Sequence, residues 1–117
     1  MRSWKPCQQM EHIERIYADS RRQPTFLFKF SPHCPLSAYM WEVFQEFLKA
    51  HSVYPCWRVD VIQHREVSQE IARRTGIRHE SPQVLLFYRD RVVWHGSHWE
   101  IDEEAIREAL HSLSESP

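Results

Sequence analysis

The feature that most restricts this chain is the six-residue run Thr25–Phe30 (T-F-L-F-K-F), followed at once by S-P-H-C-P-L-S. The run is β-prone and nearly continuous rather than alternating, as in strands that are covered on both faces. Ser31-Pro32-His33-Cys34-Pro35 breaks it, and Pro35 suits the first position of a helix, where its missing N–H would have no partner anyway. Beyond it Leu36, Met40, Val43, Phe44, Phe47 and Leu48 mark one wide helical face. A buried strand that passes through a tight break into an amphipathic helix requires a layered α/β sheet, because both faces of the strand need a cover.

The rest of the chain supplies that cover. Met10, Ile13, Ile16 and Tyr17 recur at helical spacing between Cys7 and Ser20, and Arg21-Arg22-Gln23-Pro24 forms the exit. Val53 to Val61 predicts a second strand, with Trp57, Val59 and Val61 on one side and Arg58 and Asp60 on the other. Strand, helix and strand at this spacing predict a right-handed parallel crossover. Gln63 to Arg74 predicts a short, exposed helix with Val67 and Ile71 on its apolar side, stopped by Gly76. Val84 to Tyr88 and Arg91 to His95 predict an antiparallel hairpin turned by Arg89-Asp90. Asp102 is placed to cap a last helix that buries Ile106, Ala109, Leu110 and Leu113. With a short edge strand near Trp4, the expected architecture is a central mixed β-sheet flanked by helices on both faces.

Composition narrows the function classes. The 117 residues suit a single domain, residues 1–117, and folding a chain of this size buries about two-thirds of its surface. With 15 Lys+Arg against 16 Asp+Glu, no global field favours nucleic acid or anionic lipid, and neither is expected as a partner. The uncharged stretch Ser31–Trp41 is far too short to span a bilayer. Met1 to Gln9 holds no apolar core of an export signal. Three cysteines, Cys7, Cys34 and Cys56, cannot all pair within one chain, which points to a reducing cytoplasm. No cysteine has a partner at zinc-ligand spacing, and His95 and His98 read as loop and packing residues, so no metal is expected.

Chemistry in such a sheet belongs where the central strand's carboxyl end meets a helix N-terminus, and Cys34 stands there. The helix dipole and unpaired backbone donors favour a thiolate at that place, and His33 adds positive charge when protonated. Since the thiolate is the attacking species, Cys34 is a candidate nucleophile for thiol–disulfide exchange. Cys56, in an inner strand, reads as a small buried hydrophobe ahead of a resolving thiol. Cys7, at the start of the first helix, reads as a cap or a surface thiol. Trp41 and Tyr39 read as helix packing.

The strand F-L-F-K-F, the S-P-H-C-P-L-S break, V-D-V, the helix ending T-G-I-R and Ser81-Pro82 before a hairpin together resemble the thioredoxin superfamily. Within it, F-K-F-S-P-H-C-P-L-S, T-G-I-R-H-E-S-P-Q and S-H-W-E-I-D resemble the monothiol bacilliredoxins of the bacterial bacillithiol system. The resemblance covers nearly the whole chain and implies a thioredoxin-like fold, a cytoplasmic location and removal of bacillithiol from mixed disulfides on client proteins. Bacillithiol would be the co-substrate, with no tightly bound cofactor. Cys34 would attack, and Ser81-Pro82 would form a cis-proline bend facing it.

Dithiol thioredoxins carry a second cysteine three residues after the first, where this chain has Ser37, and a buried acid six residues before it, where this chain has Phe28. Both departures suit a one-cysteine mechanism. His33, Pro35, Ser37, His79, Ser81 and Pro82 are the residues expected to meet the thiol substrate. Lys29, Arg58, Arg78 and His79 are candidates for the carboxylates of bacillithiol's malate group; most of them read as solvated face charges, and His79 is the best placed. Two other function classes stay open: an iron–sulfur carrier, although such proteins use C-G-F-S where this chain has Pro35, and an adaptor whose cysteine is incidental.

Overall fold

The computed structural model describes residues 4–51 and 53–114. Ten elements follow in order: β1 (Lys5–Pro6), α1 (Met10–Ser20), β2 (Thr25–Phe30), α2 (Pro35–Ala50), β3 (Cys56–Asp60), α3 (Arg65–Thr75), β4 (Gln83–Tyr88), β5 (Arg91–Ser97), a 3₁₀ turn (His98–Glu100) and α4 (Glu103–Ser114). They build one five-stranded mixed sheet in the order β1-β3-β2-β4-β5. The apolar run at Thr25–Phe30 is thus the middle strand. It lies parallel to β3, from Phe26↔Cys56 to Phe30↔Asp60, and antiparallel to β4, from Thr25↔Phe87 to Lys29↔Gln83.

Side chains alternate across β2 and feed two separate cores. Phe26 and Phe28 join Met40, Trp41, Phe44, Phe47 and Leu48 of α2 and Ile106 of α4. Leu27 joins Ile13 and Ile16 of α1, Val67 and Ile71 of α3, and Leu85 and Phe87 of β4. The hairpin turn has Arg89 and Asp90 at φ 54° and 68°, the two left-handed residues of a tight turn that matches strand twist. The turn is tied to the end of α1, with the Arg89 N–H donating to the Ser20 carbonyl at 2.7 Å and the Arg21 guanidinium pairing with Asp90 at 2.8 Å. Gly76, at φ 72°, ends α3 as expected, and the Asp102 carboxylate accepts the Ala105 N–H at 3.2 Å.

Two expectations need correction, and one element is added. β3 starts at Cys56 rather than Val53, because Val53 is 72% exposed and pairing begins only after Pro55. α1 starts at Met10, and Cys7, expected as a cap or surface thiol at its start, instead follows β1 and is fully buried, its N–H donating to the Arg58 carbonyl at 2.8 Å. The turn His98–Glu100 was not anticipated. Its sequence has no helical period, and it is held by the Ser97 N–H donating to the Glu100 carboxylate at 2.8 Å. Gly96, just before it, has no room for a side chain: a Cβ would lie 2.8 Å from the Trp94 ring.

Candidate thiol site

β2 delivers the chain to the site and α2 receives it. Between them, the Ser31 N–H donates to the Ser37 hydroxyl at 2.9 Å, the His33 N–H to the Ser31 hydroxyl at 3.3 Å, and the Cys34 N–H to the Ser31 carbonyl at 3.3 Å. Ser37 is fully buried. Its hydroxyl therefore holds the loop from inside, at the position where a dithiol motif has its second cysteine. Cys34 is the N-cap of α2, with extended backbone (φ −115°, ψ 112°), and its carbonyl accepts the first helical bond from the Ala38 N–H at 3.2 Å. The thiol makes no capping hydrogen bond and is half-buried. Pro35 follows at the first helical position. The early N–H groups of a helix have no partner within it, and Cys34 stands at that end of α2. His33 and Pro35, on either side, are exposed.

The other two thiols are in different surroundings. Cys7 is fully buried, and burial pushes its thiol up to about 12. Cys56 is buried in the aromatic core, and burial pushes its thiol well above the ordinary range. All three cysteines are free. Phe28, in place of an acid, packs against Trp41 and Phe44 with ring centroids 5.0 and 5.7 Å away.

The loop between α3 and β4 comes to the same end of the sheet. Because β4 runs antiparallel to β2, its first residue, Gln83, lies beside Lys29 at the carboxyl end of β2. The Ser81-Pro82 bond is cis, as expected. Pro82 is buried, and its carbonyl accepts the His98 N–H at 3.0 Å. The Ser81 hydroxyl is buried without a hydrogen-bond partner. The loop is pinned by the Gln83 amide, which donates to the Arg78 carbonyl at 3.1 Å.

Two candidate anion-binding groups are not solvated face charges. Lys29 is fully buried, which pulls its ammonium down to about 8. Its Nζ donates to the Ser68 carbonyl at 3.2 Å and lies 3.3 Å from Nδ1 of His79. The Arg58 guanidinium is stacked between aromatic rings, 4.3 Å from the centroids of both Trp4 and Phe30. Tyr39 is not packed within the helix layer but exposed, 6.0 Å from Trp99, whereas Trp41 is in the core. Sequence reasoning singled out Lys29 and His79 separately but missed Ser68, which joins them in one cluster. No group of three or more metal-ligating side chains occurs among the described residues.

A parallel β-α-β crossover, an antiparallel hairpin, a cysteine at the helix N-cap and a cis-proline before β4 define the thioredoxin class of fold. Solved structures agree. One described as "A putative oxidoreductase with a thioredoxin fold" is similar at TM-score 0.83 and 27% identity, over 92% of this chain and 93% of that one. Thioredoxin from Fasciola hepatica is similar at TM-score 0.72 and 15% identity, over 92% and 97%. Thioredoxin O2 from Arabidopsis thaliana gives TM-score 0.72 and 12% identity, over 95% and 94%. At those lower identities the likeness is one of fold. Within the class, residues 5–106 match the family model of the monothiol bacilliredoxin BrxC, and the chain belongs to that family. No helix among the described residues is long and apolar enough to cross a membrane.

Proposed function

We propose that the protein is a monothiol oxidoreductase that removes bacillithiol from mixed disulfides on client proteins through Cys34. The observation that carries this reading is the contrast among the thiols: Cys34 stands uncapped and partly open at a helix N-terminus, while Cys7 and Cys56 are buried with their thiols pushed up. The Cys34 thiolate attacks the bacillithiol sulfur of the mixed disulfide. The bond to the client sulfur breaks, its electron pair leaves on that sulfur, and the client thiolate takes a proton from solvent. Cys34 is left joined to bacillithiol. A second low-molecular-weight thiol then attacks that bacillithiol sulfur, restoring Cys34 and leaving an oxidised small-thiol dimer.

His33 and Pro35 flank the thiol, and Ser37 holds its loop. His79, Ser81 and Pro82 form the opposite wall, where the backbone of Ser81 pairs with the incoming chain. Bacillithiol is the co-substrate and a reducing cytoplasm is the setting. The test is release of a client thiol from a purified bacillithiolated protein. Wild type, Cys7→Ala and Cys56→Ala should release it, and Cys34→Ser should not exceed background. Retained release by Cys34→Ser would overturn the reading.

A further inference from the structure

Among the described residues two large aromatic side chains are left open to solvent, Trp99 at 71% and Tyr39 at 56% exposure. Their rings lie 6.0 Å apart, tilted at 55°, so neither stacks on the other. Both are presented by fixed backbone. Tyr39 is in the second turn of α2. Trp99 is on the 3₁₀ turn, directly after His98, whose φ of 54° is uncommon for a residue with a side chain. The His98 N–H is held by the Pro82 carbonyl at 3.0 Å. Trp and Tyr are the residues that carry most binding energy where proteins meet, and here they open a groove of about 560 Å³ between α2, the end of β5 and the start of α4. Ordinary ligand sites occupy ~300 to 1,000 Å³.

The rim of the groove is acidic. Glu100, Asp102 and Glu103 line it and are exposed, whereas no Lys or Arg does and His95 is its one basic side chain. Two of the carboxylates are fixed by backbone, Glu100 accepting the Ser97 N–H at 2.8 Å and Asp102 the Ala105 N–H at 3.2 Å. Aromatic faces and carboxylates both attract positive charge, so together they select a cation. A guanidinium suits them best, because it is planar and weakly hydrated, stacks on rings and carries five donors for carboxylates. The groove also continues from the thiol site. Tyr39 follows Cys34 by five residues, about 7.5 Å along α2 at 1.5 Å per residue, and the turn that bears Trp99 is bonded to Pro82. We propose that this groove docks an arginine side chain of the client protein, close in its chain to the modified cysteine. The proposal rests on the thiol-exchange reading above and adds the class of client selected: proteins whose modified cysteine has a basic neighbour.

The test uses two peptides that each carry one bacillithiolated cysteine and differ only in its flanking residues, arginines in one and glutamines in the other. Wild type should prefer the arginine peptide by about tenfold in kcat/KM, carried mainly in KM, as expected for a cation on an aromatic face with carboxylates beside it. In Trp99→Ala and in Glu103→Gln, both changes at exposed positions, the ratio between the peptides should fall toward one. A wild type without preference, or a Trp99→Ala protein that keeps it in full, would overturn the proposal. Docking is also measured without turnover, as binding of the same two peptides with serine in place of cysteine to the Cys34→Ser protein. Tighter binding of the arginine peptide supports the proposal and equal binding overturns it. Concentration-dependent dimerisation of wild type that is lost in Trp99→Ala would assign the groove to a second copy of the chain and overturn the proposal. Inactivity of wild type toward both bacillithiolated peptides would overturn the thiol-exchange reading itself, a result distinct from activity without preference.

Discussion

The two faces of the sheet are built from one strand yet serve opposite ends. On the α2 side, β2 contributes Phe26 and Phe28, and the cluster they enter is aromatic and dry, with Phe26 5.3 Å from Phe44 and 5.8 Å from Phe47. On the α1 and α3 side, β2 contributes Leu27 and then Lys29, so a mixed aliphatic and aromatic core ends in a buried charge. The aromatic face holds the helix that carries Cys34, and a rigid floor there fixes the thiol. The Lys29 face gives up stability to keep an ammonium under the cis-proline loop. The difference teaches that stability and site chemistry are divided across the sheet rather than mixed within one core.

The largest effect should come from breaking the aromatic face. Phe44→Ala removes a fully buried ring that touches Phe26, Phe28, Trp41 and Phe47, and should cost about 3 to 5 kcal/mol by denaturant unfolding. A loss below about 1 kcal/mol would mean that the cluster does not hold α2.

The charged face should reveal itself through pH. Lys29 falls from its ordinary 10.5 to about 8 in the fold, so between those values the unfolded chain binds more protons than the native one. Native stability from this group is therefore lowest below pH 8 and rises as pH climbs toward 10.5. Comparing wild type with Lys29→Met cancels the opposite contribution of the buried cysteines, which both proteins share. Wild type should gain on the variant by about 2 to 3 kcal/mol between pH 7 and pH 10, from the size of the shift. A difference flat with pH would show that Lys29 is not titrating in a buried site.

The smallest effect lies in the loop between the faces. Ser37→Ala leaves the buried Ser31 N–H without its acceptor and should cost about 1 to 3 kcal/mol. Ser37→Thr should recover part of it, and urea midpoints of the three proteins would measure both.

The aromatic face was legible in the sequence, because Phe26 and Phe28 and the α2 residues Met40, Phe44, Phe47 and Leu48 reveal their burial by spacing alone. Cys34 at the helix start was equally readable, since the change from strand to helix leaves a local mark, whereas the cis Ser81-Pro82 bond was read from the family resemblance and not from the proline alone. Lys29 was not. Whether a lysine in an apolar run is solvated or buried depends on Ser68 and His79, 39 and 50 residues away, and no local pattern records them. The edge strand expected near Trp4 is there, although β1 pairs only Lys5 and Pro6 with β3. Ser37 looked like a substrate contact beside Cys34, and only the loop's backbone shows it turned inward to Ser31.

The central claim is that Cys34 alone carries the exchange. Mass spectrometry of the intact protein after incubation with oxidised bacillithiol tests it directly. One bacillithiol adduct should form, map to Cys34, persist in Cys7→Ala and Cys56→Ala, and be absent from Cys34→Ser. An internal Cys7–Cys34 or Cys34–Cys56 disulfide in place of the adduct would contradict it.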